Sequence, residues 1–217
     1  RAGERLFVPE LPDPAPGEIV YSGDRSSNRV ALTLDMGGRV EPALDIMQFL
    51  IANNVRATIF MTGAMVDNRN TDAGRQVLAL VEANLDLFEL GNHSYSHPDF
   101  TTLTPGEMTM ELFDTQSSID EYVSLDTRPL FRPPFGAVDS RVAREVGELG
   151  FGKLIMWDID TIDWMPESDG GPTTAAIVNK VVSNAQGGSI VLMHLGGDNT
   201  YAARPGLVEG VPARRGD

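Results

Sequence analysis

From Arg29 onward the chain alternates short apolar runs with longer stretches in which apolar residues recur every three to four positions. That rhythm constrains the fold more than any other feature, because it commits the chain to strands separated by helices and hence to an α/β fold with largely parallel strands. Val30–Leu34, Ala57–Met61, Leu87–Leu90, Pro129–Phe131, Lys153–Trp157 and Ser189–Met193 read as strands. Helical stripes run through Leu44, Met47 and Leu50, through Val77, Leu80 and Val81, and through Met108, Leu112 and Ile119. Two more pass through Val142 and Val146 and through Ile177 and Val181. Thr104, Pro105 and Glu107 have the N-cap, N1 and N3 spacing of a capping box and predict a helix start. Residues 1–28, rich in Pro, Gly, Ser and Asp without a period, read as an extended lead-in, and 29–217 as one domain. Both a barrel and a doubly wound sheet satisfy the pattern, and both gather functional groups at strand C-terminal ends.

Composition removes several classes of function. The chain has no cysteine, so it can carry neither a disulfide nor a thiolate metal site. A formal charge of −14 disfavours nucleic acid and anionic membranes, which need a basic footprint. The longest apolar runs fall far short of a bilayer span, and nothing in the sequence implies a protein partner. Arg1–Glu10 lacks a signal-peptide core, and the absence of an initiating Met leads us to expect missing upstream residues.

The polar residues that interrupt the pattern fall at the predicted strand ends. Asp35 follows the first strand, His93 and His97 the third, Arg132 the fourth, Asp160 and Asp163 the fifth, and His194 ends the last. Taken singly, each is ambiguous. His93 and His97 have a spacing that lets two imidazoles reach one metal ion, and also one that suits surface or capping histidines. Asp35 has a turn carboxylate as its plainer reading, and Arg132 a surface ion pair, although two following prolines favour a positioned guanidinium. His194 reads equally as a satisfied core residue, and Asp160, Asp163 and Trp164 as loop caps and core filling. Their convergence on one rim is what favours chemistry.

Together these residues resemble the polysaccharide deacetylases of the NodB-homology superfamily, carbohydrate esterase family 4. The resemblance spans about Arg29 to Gly197 and rests on five ordered segments: TLDMGG (Thr33 to Gly38), HSYSH, RPPFG, DTIDW and VLMHLGG. It implies a distorted (β/α) barrel with fewer than eight strands and metal-assisted hydrolysis of acetyl groups on an amino-sugar polymer such as peptidoglycan or chitin. By position, Asp35 would be the base that activates water, aligned by Arg132. His93 and His97 would hold a divalent metal, Zn or else Co, Mn or Ni. His194 would be the acid, oriented by Asp163. Trp164 and Leu192 would wall the acetyl pocket, and the Phe135 N–H would face the oxyanion. The resemblance also implies an extracellular or cell-envelope location.

Two departures stand out. Met36 occupies the place of a second Asp that ligates the metal, and a thioether is a poor partner for such cations. The expected outcomes are a weakened metal site, a substitute acid such as Asp99, or a site that works without metal or not at all. A metal-independent hydrolase of a small amide or ureide, as in allantoinase-like members, and a non-catalytic carbohydrate-binding relative therefore stay open. The second departure is at the C-terminus, where the family's closing helix and strand are expected and PGLVEGV could start that helix, so the domain reads as truncated or poorly ordered beyond it.

Overall fold

A computed structural model describes residues 15–37 and 40–210; Gly38, Arg39, the first half of the lead-in and the last seven residues lie outside it. Its strands are β1 (Glu18–Val20), β2 (Ala31–Met36), β3 (Ala57–Met61), β4 (Phe88–Asn92), β5 (Leu130–Phe131), β6 (Lys153–Ile155), β7 (Ile159–Asp160) and β8 (Ile190–His194). The helices are α1 (Ala43–Ala52), α2 (Gly63–Asp67), α3 (Ala73–Glu82), α4 (Pro105–Asp120), α5 (Ser140–Glu148), α6 (Thr174–Asn184) and α7 (Asp198–Gly210). The strands form one parallel sheet in the order β1-β6-β5-β4-β3-β2-β8-β7.

Connectivity bends this sheet into a barrel. In the sheet order β6 and β7 are six steps apart, about 29 Å if flat at ~4.8 Å per strand. In the chain only Met156, Trp157 and Asp158 separate them, a reach of at most about 14 Å. The two ends of the sheet must therefore curl towards each other, leaving a seam bridged by those three residues. This is the distorted barrel expected, with one correction: the strands number eight rather than fewer. The added ones, β1 and β7, are edge strands of three and two residues, too short to carry a period. The lead-in thus supplies the strand that pairs with β6.

The alternation of side chains along β2 sets the site against the core. Leu34 and Met36 are buried in the apolar layer between sheet and helices, with Ile46, Met47, Ile59 and Met61. Thr33 and Asp35 take the opposite parity and face the barrel interior. A second apolar cluster joins Phe100, Met108, Phe131, Val142 and Phe151 beneath α4 and α5. α4 begins as predicted, with the reciprocal Thr104–Glu107 capping box formed. Inside the barrel, a Cβ on Gly91 would sit 2.3 Å from the Phe60 ring, so a glycine is what admits that ring. Phe60 in turn lies under the Arg132 guanidinium at 4.2 Å. PGLVEGV falls within α7, which continues through Pro205. Among the described residues, no helix is long and apolar enough to cross a membrane.

Candidate active site

The C-terminal ends of the strands open into a cleft of about 790 Å³ lined by Asp35, His93, His97, Phe135, Asp160, Asp163, Trp164, Leu192 and His194, among others. Every residue singled out on the rim lines it except Arg132, which is fully buried just beneath. Trp164 and Phe135 are exposed at its mouth, and Leu192 is buried in its wall. Phe135 bends the chain through a left-handed conformation, φ 59°, and its ring meets His97 edge-on at 4.6 Å.

Asp35 and His194 are register partners on the adjacent strands β2 and β8. Asp35 Oδ1 accepts a hydrogen bond from Arg132 at 2.7 Å. Arg132 also donates from Nε to the Ile155 carbonyl (2.9 Å) and from its second terminal nitrogen to the Met156 carbonyl (3.2 Å). Burial opposes the charge on Asp35, but the neighbouring cations, Arg132 first, outweigh it and hold the carboxyl below its ordinary range. A carboxylate so held is ionised at neutral pH.

His93 follows β4, and its Nδ1 lies 2.8 Å from the Arg132 carbonyl oxygen. A carbonyl only accepts, so Nδ1 carries the proton and the lone pair resides on Nε2, 3.5 Å from Asp35 Oδ2. Burial dominates here and lowers the His93 pKa to about 4, against the pull of Asp35. His97 is lowered too, again chiefly by burial. The two rings stand edge-to-face with centroids 4.8 Å apart. Both are neutral at pH 7, the state in which imidazole ligates a metal.

His194 behaves oppositely. Its Nδ1 donates to Asp163 Oδ1 at 2.9 Å, and its backbone N–H to Oδ2 at 2.9 Å. Burial would lower its pKa, but the hydrogen bond and charge of Asp163, with Asp35 and Asp160, raise it above the ordinary value. The Thr200 hydroxyl, from α7, donates a further bond to Asp163 Oδ2. Asp160 lines the cleft and accepts from the Ile162 N–H.

Three placements depart from what the motifs led one to expect. Met36 is fully buried and points into the apolar layer, away from the histidines. Asp99 is engaged elsewhere, accepting from the Thr101 N–H (2.9 Å) and hydroxyl (2.6 Å) at the start of a 3-10 turn, and it does not join them. Among the described residues, no group of three His, Cys, Asp or Glu is gathered to hold a metal ion. The donor set thus fits a divalent cation through two imidazoles, with no third protein ligand. Reading along the chain also missed Thr200 and Glu111. Thr200 sits in a tail with no motif, and Glu111 falls on the polar side of the α4 stripe.

The family model for polysaccharide deacetylases matches residues 22–153. The chain belongs to the polysaccharide deacetylase family. It is 31% identical over 171 residues to a peptidoglycan-N-acetylglucosamine deacetylase, PgdA, of Listeria monocytogenes, covering 78% of this chain and 33% of that protein. Among solved structures, a carbohydrate esterase family 4 pseudoenzyme of Bacillus anthracis, BA3943, superposes with a TM-score of 0.76 at 28% identity, covering 93% of this chain and 66% of that one. A mutant of BA3943 is described as having restored enzymatic activity. A family 4 carbohydrate esterase of Streptomyces lividans, solved with acetate, gives a TM-score of 0.68 at 33% identity, covering 85% and 88%. This polysaccharide deacetylase domain spans about a third of the Listeria relative and about half of another curated relative.

Proposed function

We propose that this domain hydrolyses acetyl groups from an N-acetylated amino-sugar polymer of the cell envelope, peptidoglycan before chitin-like chains. The observation that carries the reading is the pairing of Asp35 with His194 across β2 and β8, each held by its own buried partner, Arg132 or Asp163. Amide hydrolysis at neutral pH needs a base for water and an acid for a poor amine leaving group. Asp35, ionised and aligned by Arg132, takes the proton from the attacking water. His194, with its pKa raised by Asp163, donates a proton to the departing sugar nitrogen. The Phe135 N–H faces the developing oxyanion, and Trp164 and Leu192 enclose the acetyl methyl.

Members of this family generally depend on a divalent metal, and His93 and His97 would hold it here, as Zn or else Co, Mn or Ni. When bound, it supplies a Lewis acid that polarises the acetyl carbonyl. With Met36 in the core, two imidazoles bind it more weakly than a site completed by a carboxylate. Acetate release from N-acetylglucosamine oligomers and from peptidoglycan should accordingly be abolished by chelation and restored only by metal in excess.

Met36 also favours one other reading, a non-catalytic glycan-binding domain. A folded protein that binds these glycans but releases no acetate with any of the four metals, and whose binding is unchanged by Asp35→Asn, would select it. Turnover that survives exhaustive chelation, fastest on a small amide or ureide, would instead select the metal-independent hydrolase.

A further inference from the structure

We propose that Glu111 is the positioning residue for the His93–His97 pair, an inference that rests on the metal-binding reading above. The loop between these histidines is conformationally costly. Ser94 and His97 both lie in the left-handed region, φ 67° and 61°, where residues other than glycine are strained by about 1–2 kcal/mol each. These two turns bring the imidazoles face to edge, so something must over-determine the loop.

Hydrogen bonds account for it. The Ser94 N–H donates to Asn92 Oδ1 (2.8 Å), and the His97 N–H to the Ser94 hydroxyl (3.0 Å). The Ser94 and Tyr95 carbonyls accept from the N–H groups of Gly63 and Ala64 at the start of α2. The two remaining amides, of Tyr95 and Ser96, both donate to Glu111 Oε2, at 2.8 and 2.7 Å. The Ser96 hydroxyl donates to Oε1 at 2.6 Å. One carboxylate thus collects three donors from the crest of the loop, and bonds to an ionised acceptor are about twice as strong as neutral ones. Its position is itself secured: α4 is capped at Thr104, and Asn92 Nδ2 donates to the Leu112 carbonyl next along the helix. Glu111 reaches neither the cleft nor the imidazoles and acts only through the backbone between them. Because position 36 supplies no ligand, metal capture depends on the two imidazoles being held ready, and Glu111 holds them.

Cobalt(II) titration followed by its visible absorption, on the purified chain, measures the first consequence. Glu111→Ala should weaken cobalt binding about 10–100-fold, the usual cost of losing an outer support of a metal ligand. Glu111→Gln should fall between it and the parent. Asp67→Asn, which removes a partner of the Tyr95 hydroxyl on the same loop, should stay within about twofold. The second readout needs no metal. The chain has three histidines, so their ring C–H proton signals are separately countable in metal-free protein. Glu111→Ala should split or broaden the His93 and His97 lines and leave that of His194 unchanged. If the parent binds no cobalt, the metal reading fails, and the imidazole lines alone decide the role of Glu111. Unchanged imidazole lines in a folded Glu111→Ala overturn the proposal, as does unchanged cobalt affinity where the parent binds. Should that variant not fold, Glu111→Gln and Ser96→Ala carry the same test.

Discussion

The two walls of the cleft are built to different degrees of completeness. On the β7–β8 side, His194, Asp163 and Thr200 form a closed chain of hydrogen bonds in which each group has its partner. On the β2–β4–β5 side, Asp35, Arg132 and His93 are equally well held, but two imidazoles face the cleft without the carboxylate that would complete a metal site. Proton-transfer machinery and electrophile machinery are therefore separable within one fold. A chain can keep the first intact while the second is reduced to a matter of affinity.

The comparison breaks most visibly if the walls do not cooperate. Asp35→Asn and His194→Ala should each lower kcat/KM by about 10²–10⁴-fold, and the double variant should fall less than the product of the two, since both serve one proton-transfer sequence. Fully multiplicative losses would mean that the walls act independently. Next in size is Met36→Asp. Replacing a buried thioether should cost about 2–5 kcal/mol of stability in chelated protein, seen as a lower urea midpoint. It should also raise metal affinity at least about tenfold, because a third ligand is added. Lost stability without any gain in affinity would show that a side chain at 36 stays in the apolar layer and cannot complete the site.

Thr200→Val tests the complete wall more gently. It deletes one donor to Asp163, for a loss of about 1 kcal/mol, or roughly fivefold in kcat/KM, with metal affinity unchanged. The shallowest effect is in pH. The folded-state pKa of His194 is raised, so its contribution to stability is fully present below the unfolded value of about 6.5 and disappears as pH rises through the folded value. The gap in urea midpoint between the parent and His194→Gln should narrow from pH 6 to pH 9, and kcat/KM should decline over the same alkaline limb. A gap that stays constant would mean that His194 sits neutral in the fold.

Much of this was legible along the chain because barrel geometry converts strand ends into a rim. Asp35, His93, Arg132, Asp163 and His194 were found by asking which polar residues interrupt apolar runs, and they do converge on one cleft or its floor. Motif position misled at Met36, where the period-two rule would have served better. Leu34 and Met36 share a face, opposite to Asp35, so parity alone turns Met36 towards the helices. Strands β1 and β7 were illegible for want of length. Glu111 and Thr200 were illegible for a different reason. Each serves a loop or side chain at least fifteen residues away, and nothing local distinguishes a supporting Glu or Thr from a solvated one.

One feature of the barrel ties its architecture to its reactivity. Arg132 spends two hydrogen bonds on the carbonyls of Ile155 and Met156, where the chain crosses the seam, and a third on Asp35. A single guanidinium is thus both the clasp of the cylinder and the bearing on which the base sits. Any breathing motion that parts the seam must also unseat the base, so opening of the scaffold and loss of the reactive geometry should be one and the same excursion.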